Sequence, residues 1–203
     1  DYDSVAGGCW AKGVPLFWRN ACVGYSMHRE ASRKISYEDA ADLISTAFTR
    51  WTGATCPTEG TGRSRTSIDV RDLGPAECGN VEYVSGVANQ NIIVFRDETW
   101  KYGKTVLGLT TVVYAPDTGE IYNADMEFNT LDMEPLSTED PVAPDAYDFG
   151  SVATHEAGHF LGIAHSDVMG ATMYARYDTG QTSMRNLAPD DVQAICTVYR
   201  PDG

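Results

Sequence analysis

The stretch HEAGHFLGIAHS, residues 155–166, constrains the fold of this 203-residue chain more than any other feature, and it holds three of the four histidines. His155 and His159 are four residues apart, so a helix presents both imidazoles on one face, one turn apart. A straight helix would carry His165 away from that face. Gly162 is a residue at which the chain can leave the helix in a left-handed conformation and turn back. The motif therefore predicts a helix, a glycine turn and a returning segment that meet at one point.

Three neutral imidazoles at one point form a ligand set for a divalent metal. Catalytic zinc takes three protein ligands, with nitrogen at about 2.0–2.1 Å, and leaves a fourth position to water. Glu156 follows the first histidine and points towards that water. Zinc lowers the pKa of bound water to about 7, and a carboxylate beside it can take the proton and deliver it to a leaving amine. The pattern predicts peptide hydrolysis by a zinc-activated water, with Glu156 as general base and then acid.

The length of the pattern gives it specificity. A bare H-E-x-x-H arises by chance, but here H-E-x-x-H-x-x-G-x-x-H is complete, on a predicted helix with glycine at its end. An active endopeptidase is therefore the main hypothesis. Two alternatives stay open: a latent precursor blocked by its N-terminal segment, and a non-catalytic binding module stabilised by zinc.

Composition excludes several other functions. The net charge of −14 disfavours nucleic-acid binding, because a phosphate backbone would be repelled. No apolar run reaches 18 residues, so no membrane span is predicted. Hydrophobic residues make up 42% and charged residues 22%, as in ordinary soluble domains. We expect a monomer, and since no signal peptide is visible, an exported protein would be the processed form.

Hydrophobic periodicity predicts helices over 36–51, 151–161 and 187–199, and strands over 14–18, 22–27, 67–70 and 91–95. Ser36 and Asp39 resemble a capping box, Gly53 suits the end of the first helix, and Pro189 suits the first turn of the last. A hairpin is predicted to join residues 105–114 to 120–129. Apolar and polar side chains alternate in its second arm, which predicts a half-buried strand.

The zinc motif resembles that of the metzincin peptidases, whose second hallmark is a methionine turn beneath the metal. ATMY (171–174) supplies this turn with Met173, whereas Met169 lies in a less fitting context. Ser166, after the third histidine, is the residue that matrixins carry. Ala175 stands where astacins and serralysins have a tyrosine ligand, so no tyrosine ligand is assigned.

The likeness to matrixins covers most of residues 10–200 and is greatest to secreted bacterial matrixins of the myxobacterial kind. It implies an α+β metzincin (zincin-like) fold with a twisted, mostly parallel five-stranded sheet, one antiparallel edge strand and three main helices. A cleft would separate the N- and C-terminal subdomains. Residues 1–203 would form one catalytic domain: a lead-in over 1–12, an upper subdomain over 13–162 with the active-site helix, and a lower subdomain over 163–203.

The resemblance also implies a secreted, extracellular-matrix type of enzyme that acts on protein or peptide substrates. The substrate would lie extended and antiparallel to the edge strand, as peptides do when they add to sheets. Tyr177 matches the tyrosine of the S1′ pocket, and the loop 175–187 would wall this pocket and set specificity. The predicted substrate-binding residues are Leu107, Gly108, Leu109, Thr110, Thr111, Tyr174, Ala175 and Tyr177.

One zinc ion is expected. Vertebrate matrixins hold a second, structural zinc with histidines, and Thr111 and Glu127 stand roughly at those positions here. The remaining histidine, His28, is expected at the surface. Calcium is a further possibility, because carboxylates in the predicted hairpin offer oxygen ligands, although a solvated acidic turn explains them as well. These carboxylates are Asp117, Glu120 and Asp125.

Five scattered cysteines without a C-x-x-C pair indicate disulfides and an oxidising compartment. Sequence does not fix their connectivity, and we expect Cys56 to pair with Cys78 and Cys22 with Cys196. Cys9 is left over. It either has a structural role, or its thiolate occupies the fourth zinc position as matrixin propeptide cysteines do, although G-G-C-W here replaces the family's P-R-C-G. Asp3 as a latency ligand is a weaker hypothesis.

Overall fold

A computed structural model describes residues 14–57 and 64–201 of the chain. The predicted lead-in over 1–12, with Asp3 and Cys9, lies outside the described residues. The described residues form three α-helices, α1 (Tyr37–Thr52), α2 (Phe149–Phe160) and α3 (Pro189–Val198), and a short 3-10 helix at Ser183–Arg185. None of the helices in the described ranges has the length and apolar character needed to cross a bilayer.

Five of the strands form one sheet: β1 (Cys22–His28), β2 (Asp69–Ala76), β3 (Ile92–Phe95), β4 (Gly108–Tyr114) and β5 (Ile121–Phe128). The strand order is β2-β1-β3-β5-β4. Neighbouring strands are parallel except for β4, which runs antiparallel to β5. The expected mostly parallel sheet with one antiparallel edge strand is confirmed. Two short strands, β6 (Leu136–Ser137) and β7 (Tyr147–Asp148), pair separately in the predicted surface loop.

Helix α1 is stabilised by the N-cap and the apolar stripe that its sequence predicts. The Ser36 side chain accepts a hydrogen bond from the Asp39 N–H at 3.1 Å, which satisfies a free donor of the first turn. The apolar stripe packs into the core, and each large side chain contributes about 1.5–3 kcal/mol through its burial. The Trp51 indole donates to the Thr154 carbonyl at 2.7 Å, so α1 is tied directly to α2.

Strand β5 is more buried than predicted. Asn123, Asp125 and Glu127 alternate with apolar residues as expected, but they too are buried. Asp125 accepts a hydrogen bond from the Ile92 N–H at 2.8 Å, and Glu127 accepts one from the Arg96 guanidinium at 2.5 Å. The half-buried prediction is therefore wrong, because internal partners replace solvent on the polar face.

Two predicted strands differ from the structure. Residues 14–18 do not form a regular strand and make a single bridge, between Phe17 and Glu120. This segment packs against the end of α2, where the Trp18 indole donates to the Phe160 carbonyl at 2.8 Å. The strand predicted at 67–70 begins at Asp69 and continues to Ala76.

The predicted disulfide pairs are wrong. Cys56 bonds to Cys196, which joins the segment after α1 to α3, whereas Cys22 and Cys78 are free and exposed. The register of β1 with β2 places Cys22 beside Asp69 at one end of the two strands, and Cys78 lies two residues beyond Ala76 at the other end.

Candidate active site

Helix α2 and the turn after it position the predicted metal ligands. The Asp148 carboxylate caps the start of α2 by accepting from the Ser151 N–H at 2.9 Å. Gly162 follows the helix with φ of 88°, which confirms the predicted left-handed turn. A Cβ atom at this position would also lie 2.5 Å from the Leu16 carbonyl oxygen. Glycine is therefore required twice, for its backbone conformation and for the close approach of the N-terminal segment.

The turn brings His165 back to the two histidines of α2. One potential ligand atom from each imidazole lies within 4.8 Å of the other two. The Nε2 atoms of His159 and His165 are 3.1 Å apart. Two nitrogens bound tetrahedrally to one zinc ion are about 3.3 Å apart, given bonds of about 2.0–2.1 Å. Within residues 14–57 and 64–201, this is the group of histidine, cysteine and acidic side chains that is suited to hold a metal.

The protonation of two imidazoles also fits a metal. His155 Nδ1 lies 2.7 Å from the Thr172 carbonyl oxygen, and His159 Nδ1 lies 2.8 Å from that of Ile163. A carbonyl only accepts, so each Nδ1 carries the proton and each Nε2 keeps its lone pair for a metal. Burial lowers the pKa of both His155 and His159 to about 4. Both rings are therefore neutral at pH 7, as zinc ligands must be.

Glu156 is buried, with 4% of its surface exposed, and it lines the same cleft as the three histidines. The Thr110 hydroxyl of β4 donates to Glu156 Oε2 at 2.7 Å. Burial raises the pKa of the Glu156 carboxyl, and the nearby His155 and the Thr110 hydrogen bond act in the opposite direction. The arrangement is a desolvated carboxylate beside the imidazole nitrogens that could hold a metal.

Met173 lies beneath α2 and is 1% exposed, whereas the competing Met169 is 83% exposed. A Cβ atom at Gly158 would be 2.3 Å from Met173 Sδ, so the thioether packs directly on the helix between His155 and His159. The Met173 carbonyl accepts from the Ser166 N–H at 2.8 Å. This bond ties the methionine segment to the residue after His165.

Sequence reasoning missed Asp191. Its buried carboxylate accepts hydrogen bonds from the backbone N–H groups of Thr172 and Met173 at 2.7 and 3.0 Å. It therefore fastens the methionine segment to α3. The only signal in the sequence is an acidic residue in a first helical turn, which does not reveal a partner 18 or 19 residues away.

The imidazoles open into a cleft of about 1910 Å³ between β4 and the segments after α2. The predicted substrate-binding residues that line it are Leu107, Gly108, Leu109, Thr110, Tyr174, Ala175 and Tyr177. Thr111 instead lines a separate polar pocket with Arg96 and Glu127. The Tyr177 hydroxyl accepts from the Asp148 N–H at 2.9 Å and donates to the Gln181 carbonyl at 2.7 Å, which fixes this side of the cleft.

The three candidate calcium ligands do not form a metal-binding group within the described ranges. Glu120 pairs with Arg19 at 2.6 Å, and Asp125 accepts from the Ile92 backbone. Asp117 is exposed in the hairpin turn. The structure therefore offers no support for a calcium site built from these carboxylates.

Helix-borne imidazoles, a third imidazole after a glycine turn, a buried carboxylate and a buried methionine lie beside the edge of a mostly parallel sheet. This combination is that of the metzincin class of zinc peptidases. The matrixin family model, Peptidase_M10, matches residues 82–200, which is more than half of the chain. The chain belongs to the matrixin family.

Several plant and animal proteins share parts of this sequence. Human neutrophil collagenase is 45% identical over 53 residues, which cover 26% of this chain and 11% of that protein. Metalloendoproteinase 1-MMP of Arabidopsis thaliana is 35% identical over 97 residues, covering 48% of this chain and 25% of the relative. Metalloendoproteinase 1 of Glycine max is 44% identical over 62 residues, covering 30% and 20%. The matches thus span a quarter or less of each of these relatives.

Proposed function

We propose that this protein is a zinc-dependent endopeptidase that hydrolyses peptide bonds in proteins or peptides. The observation that carries the proposal is the convergence of the His155, His159 and His165 imidazoles beside the buried carboxylate of Glu156. Membership of a zinc-dependent peptidase family supports it independently. One ion held by the three imidazoles is sufficient for this chemistry.

The mechanism assigns separate tasks to the residues of the site. When bound, zinc supplies a Lewis acid and lowers the pKa of a coordinated water to about 7. The Glu156 carboxylate takes a proton from the attacking water and later delivers it to the leaving amine. Met173 supports the ligand helix from below.

The proposed substrate lies along β4, which has no strand partner on its outer side among the described residues. Its main chain would pair with the edge over Leu107–Thr111, with specificity given by side-chain pockets. Tyr174, Ala175 and Tyr177 would form the opposite wall, and the loop 175–187 would close the S1′ pocket. The position of all these named residues except Thr111 around one cleft supports this assignment.

We further infer one catalytic domain, with an upper part over 13–162 and a lower part over 163–203 that meet at the Gly162 turn. The Cys56–Cys196 disulfide joins these two parts. Because disulfides persist in oxidising compartments, it also supports a secreted protein. We expect this domain to act as a monomer.

The test compares the wild-type protein with Glu156→Gln, which keeps the shape of the side chain and removes its charge. Wild-type protein should bind one zinc per chain and cleave denatured protein, and the variant should keep the zinc and lose about 10²–10⁴-fold in kcat. Metal analysis and a peptide-cleavage assay measure these outcomes. Cleavage at the wild-type rate by Glu156→Gln would contradict the role of Glu156.

Two other results would replace the proposal. Zinc binding without any hydrolysis by the wild-type protein would indicate a binding module. Cleavage that begins only after N-terminal residues are removed would indicate a latent precursor, and mass spectrometry of the N-terminus before and after incubation would show this removal.

A further inference from the structure

The carboxylate of Glu156 is held by the edge strand as well as by its own helix. Gly108 and Thr110 are two residues apart on β4 and therefore face the same side of the sheet. The Thr110 Oγ1 atom is 2.7 Å from Glu156 Oε2 and 3.2 Å from the Glu156 carbonyl oxygen. A hydroxyl has one proton to donate. Because the carboxylate is the nearer acceptor and can carry a charge, the hydroxyl donates to it.

Gly108 provides the space that the carboxylate occupies. A Cβ atom at position 108 would lie 2.6 Å from Glu156 Oε1 and 2.7–2.8 Å from its Cγ and Cδ atoms. No side chain fits there while Glu156 keeps its present rotamer. The pair on β4 thus acts from two directions, since Gly108 leaves room for one carboxylate oxygen and Thr110 binds the other.

We propose that Thr110 is a positioning residue that fixes the rotamer of Glu156 for proton transfer, with Gly108 as the clearance that this rotamer needs. The inference rests on the proposed function. Its physical basis is that the same strand would bind the substrate main chain. The position of the Glu156 carboxylate relative to the scissile peptide bond would then be set by β4. Displacement of a reacting group by about 1 Å can reduce a rate by about 10²-fold.

The first test uses two substitutions that separate the hydroxyl from the shape of the side chain. Thr110→Val keeps the branched shape and loses the hydrogen bond, whereas Thr110→Ser keeps the hydroxyl and loses a methyl group. We expect Thr110→Val to lower kcat by about 10–100-fold with little change in KM or zinc content. Thr110→Ser should restore kcat to within about threefold of the wild-type value.

The outcomes separate positioning from packing. Wild-type kcat in Thr110→Val, or a loss in Thr110→Ser as large as that in Thr110→Val, would overturn the proposal, because the hydroxyl would then be unimportant. If the wild-type protein cleaves and Glu156→Gln does not, such a result refutes the role of Thr110 alone. If the wild-type protein does not cleave, both the proposed function and this inference fail.

A second variant tests the clearance without touching Thr110. In Gly108→Ala the new methyl group meets the Cγ, Cδ and Oε1 atoms of Glu156 and no backbone atom among its nearest contacts, so a change in the Glu156 rotamer can relieve the overlap while the main chain stays in place. We expect kcat to fall at least tenfold while the melting temperature and zinc content stay near those of the wild-type protein. Unchanged kcat would show that this rotamer of Glu156 is not required for catalysis.

Discussion

The lack of a side chain at Gly158 decides the packing beneath His155 and His159. It lies on α2 between His155 and His159, where a Cβ atom would be 2.3 Å from Met173 Sδ and 2.6 Å from Trp51 Cζ2. Trp51 is fully buried and also donates to the α2 backbone, so it has little freedom to move. The absence of a side chain at position 158 allows the methionine to lie directly under the helix.

Gly158→Ala is therefore expected to destabilise the protein, although alanine is the better helix former. Helix propensity favours alanine by about 1 kcal/mol, but overpacking a core typically costs about 1–3 kcal/mol. Because the new methyl group would meet two buried side chains at 2.3 and 2.6 Å, we expect the upper part of this range, about 2–3 kcal/mol, and a net loss of about 1–2 kcal/mol in the free energy of unfolding measured in urea. Gly150→Ala in the same helix is the control; its nearest contact would be 3.4 Å, so its stability should stay equal or rise.

Local spacing explains why the convergence of the three histidines beside Glu156 could be predicted from the sequence. His155, Glu156, His159 and His165 lie within eleven residues, and helix geometry with one glycine turn is enough to relate them. The hydrogen-bond partner of Glu156 could not be predicted, because Thr110 is 46 residues away and contacts Glu156 only through the packing of a strand on a helix. Thr110 was predicted as a substrate contact, and its bond to the carboxylate was missed.

Among the elements, the hairpin and the helices were predictable because their signals are local. The turn between β4 and β5 and the cap of α1 depend on neighbours in sequence. The burial of Asp125 and Glu127 depends on partners at Ile92 and Arg96, more than thirty residues away. The disulfide was mispredicted for the same reason, since it joins segments 140 residues apart.

Loss of the Cys56–Cys196 disulfide should destabilise the fold strongly, because it closes a very long loop. A sequence separation of 140 corresponds to about 5 kcal/mol in the chain-entropy model, and measured losses are typically about 2–5 kcal/mol. We expect Cys56→Ala combined with Cys196→Ala to lower the free energy of unfolding by about 3–5 kcal/mol in urea titrations. Cys22→Ala, at an exposed free thiol, should change it by less than about 0.5 kcal/mol. Equal stabilities of the two variants would contradict this prediction.

In the molecule as a whole, the first and last described segments meet at the end of the ligand helix. The Tyr199 hydroxyl donates to the Leu161 carbonyl at 2.9 Å and accepts from the Trp18 N–H at 3.0 Å. The Trp18 indole binds the neighbouring Phe160 carbonyl. The last carbonyls of α2 are thus satisfied by both ends of the domain, and the turn that returns His165 starts from a fixed base.

Zinc should accordingly stabilise the whole domain. A ligand that binds only the folded state adds RT ln(1 + [L]/Kd), or about 4 kcal/mol at a free concentration of 1,000 times Kd. We expect a chelator to lower the melting temperature and added zinc to restore it. His165→Ala should lose most of this zinc-dependent shift, whereas His28→Ala, outside the ligand group, should retain it. A shift that survives in His165→Ala would remove that residue from the ligand set.

On the substrate path proposed above, the outer flank of β4 also limits what this protein can use as a target. Only a stretched backbone presents its amide groups in register with a strand, so a helical target must first lose its internal hydrogen bonds. A proline of the target cannot pair at a position where the backbone N–H would face β4, because proline has no N–H. Stably folded proteins should therefore be cleaved more slowly the less often they unfold locally, and loops or unfolded polypeptides should be cut first. Susceptibility to cleavage would then be governed as much by local unfolding of the target as by its amino-acid sequence.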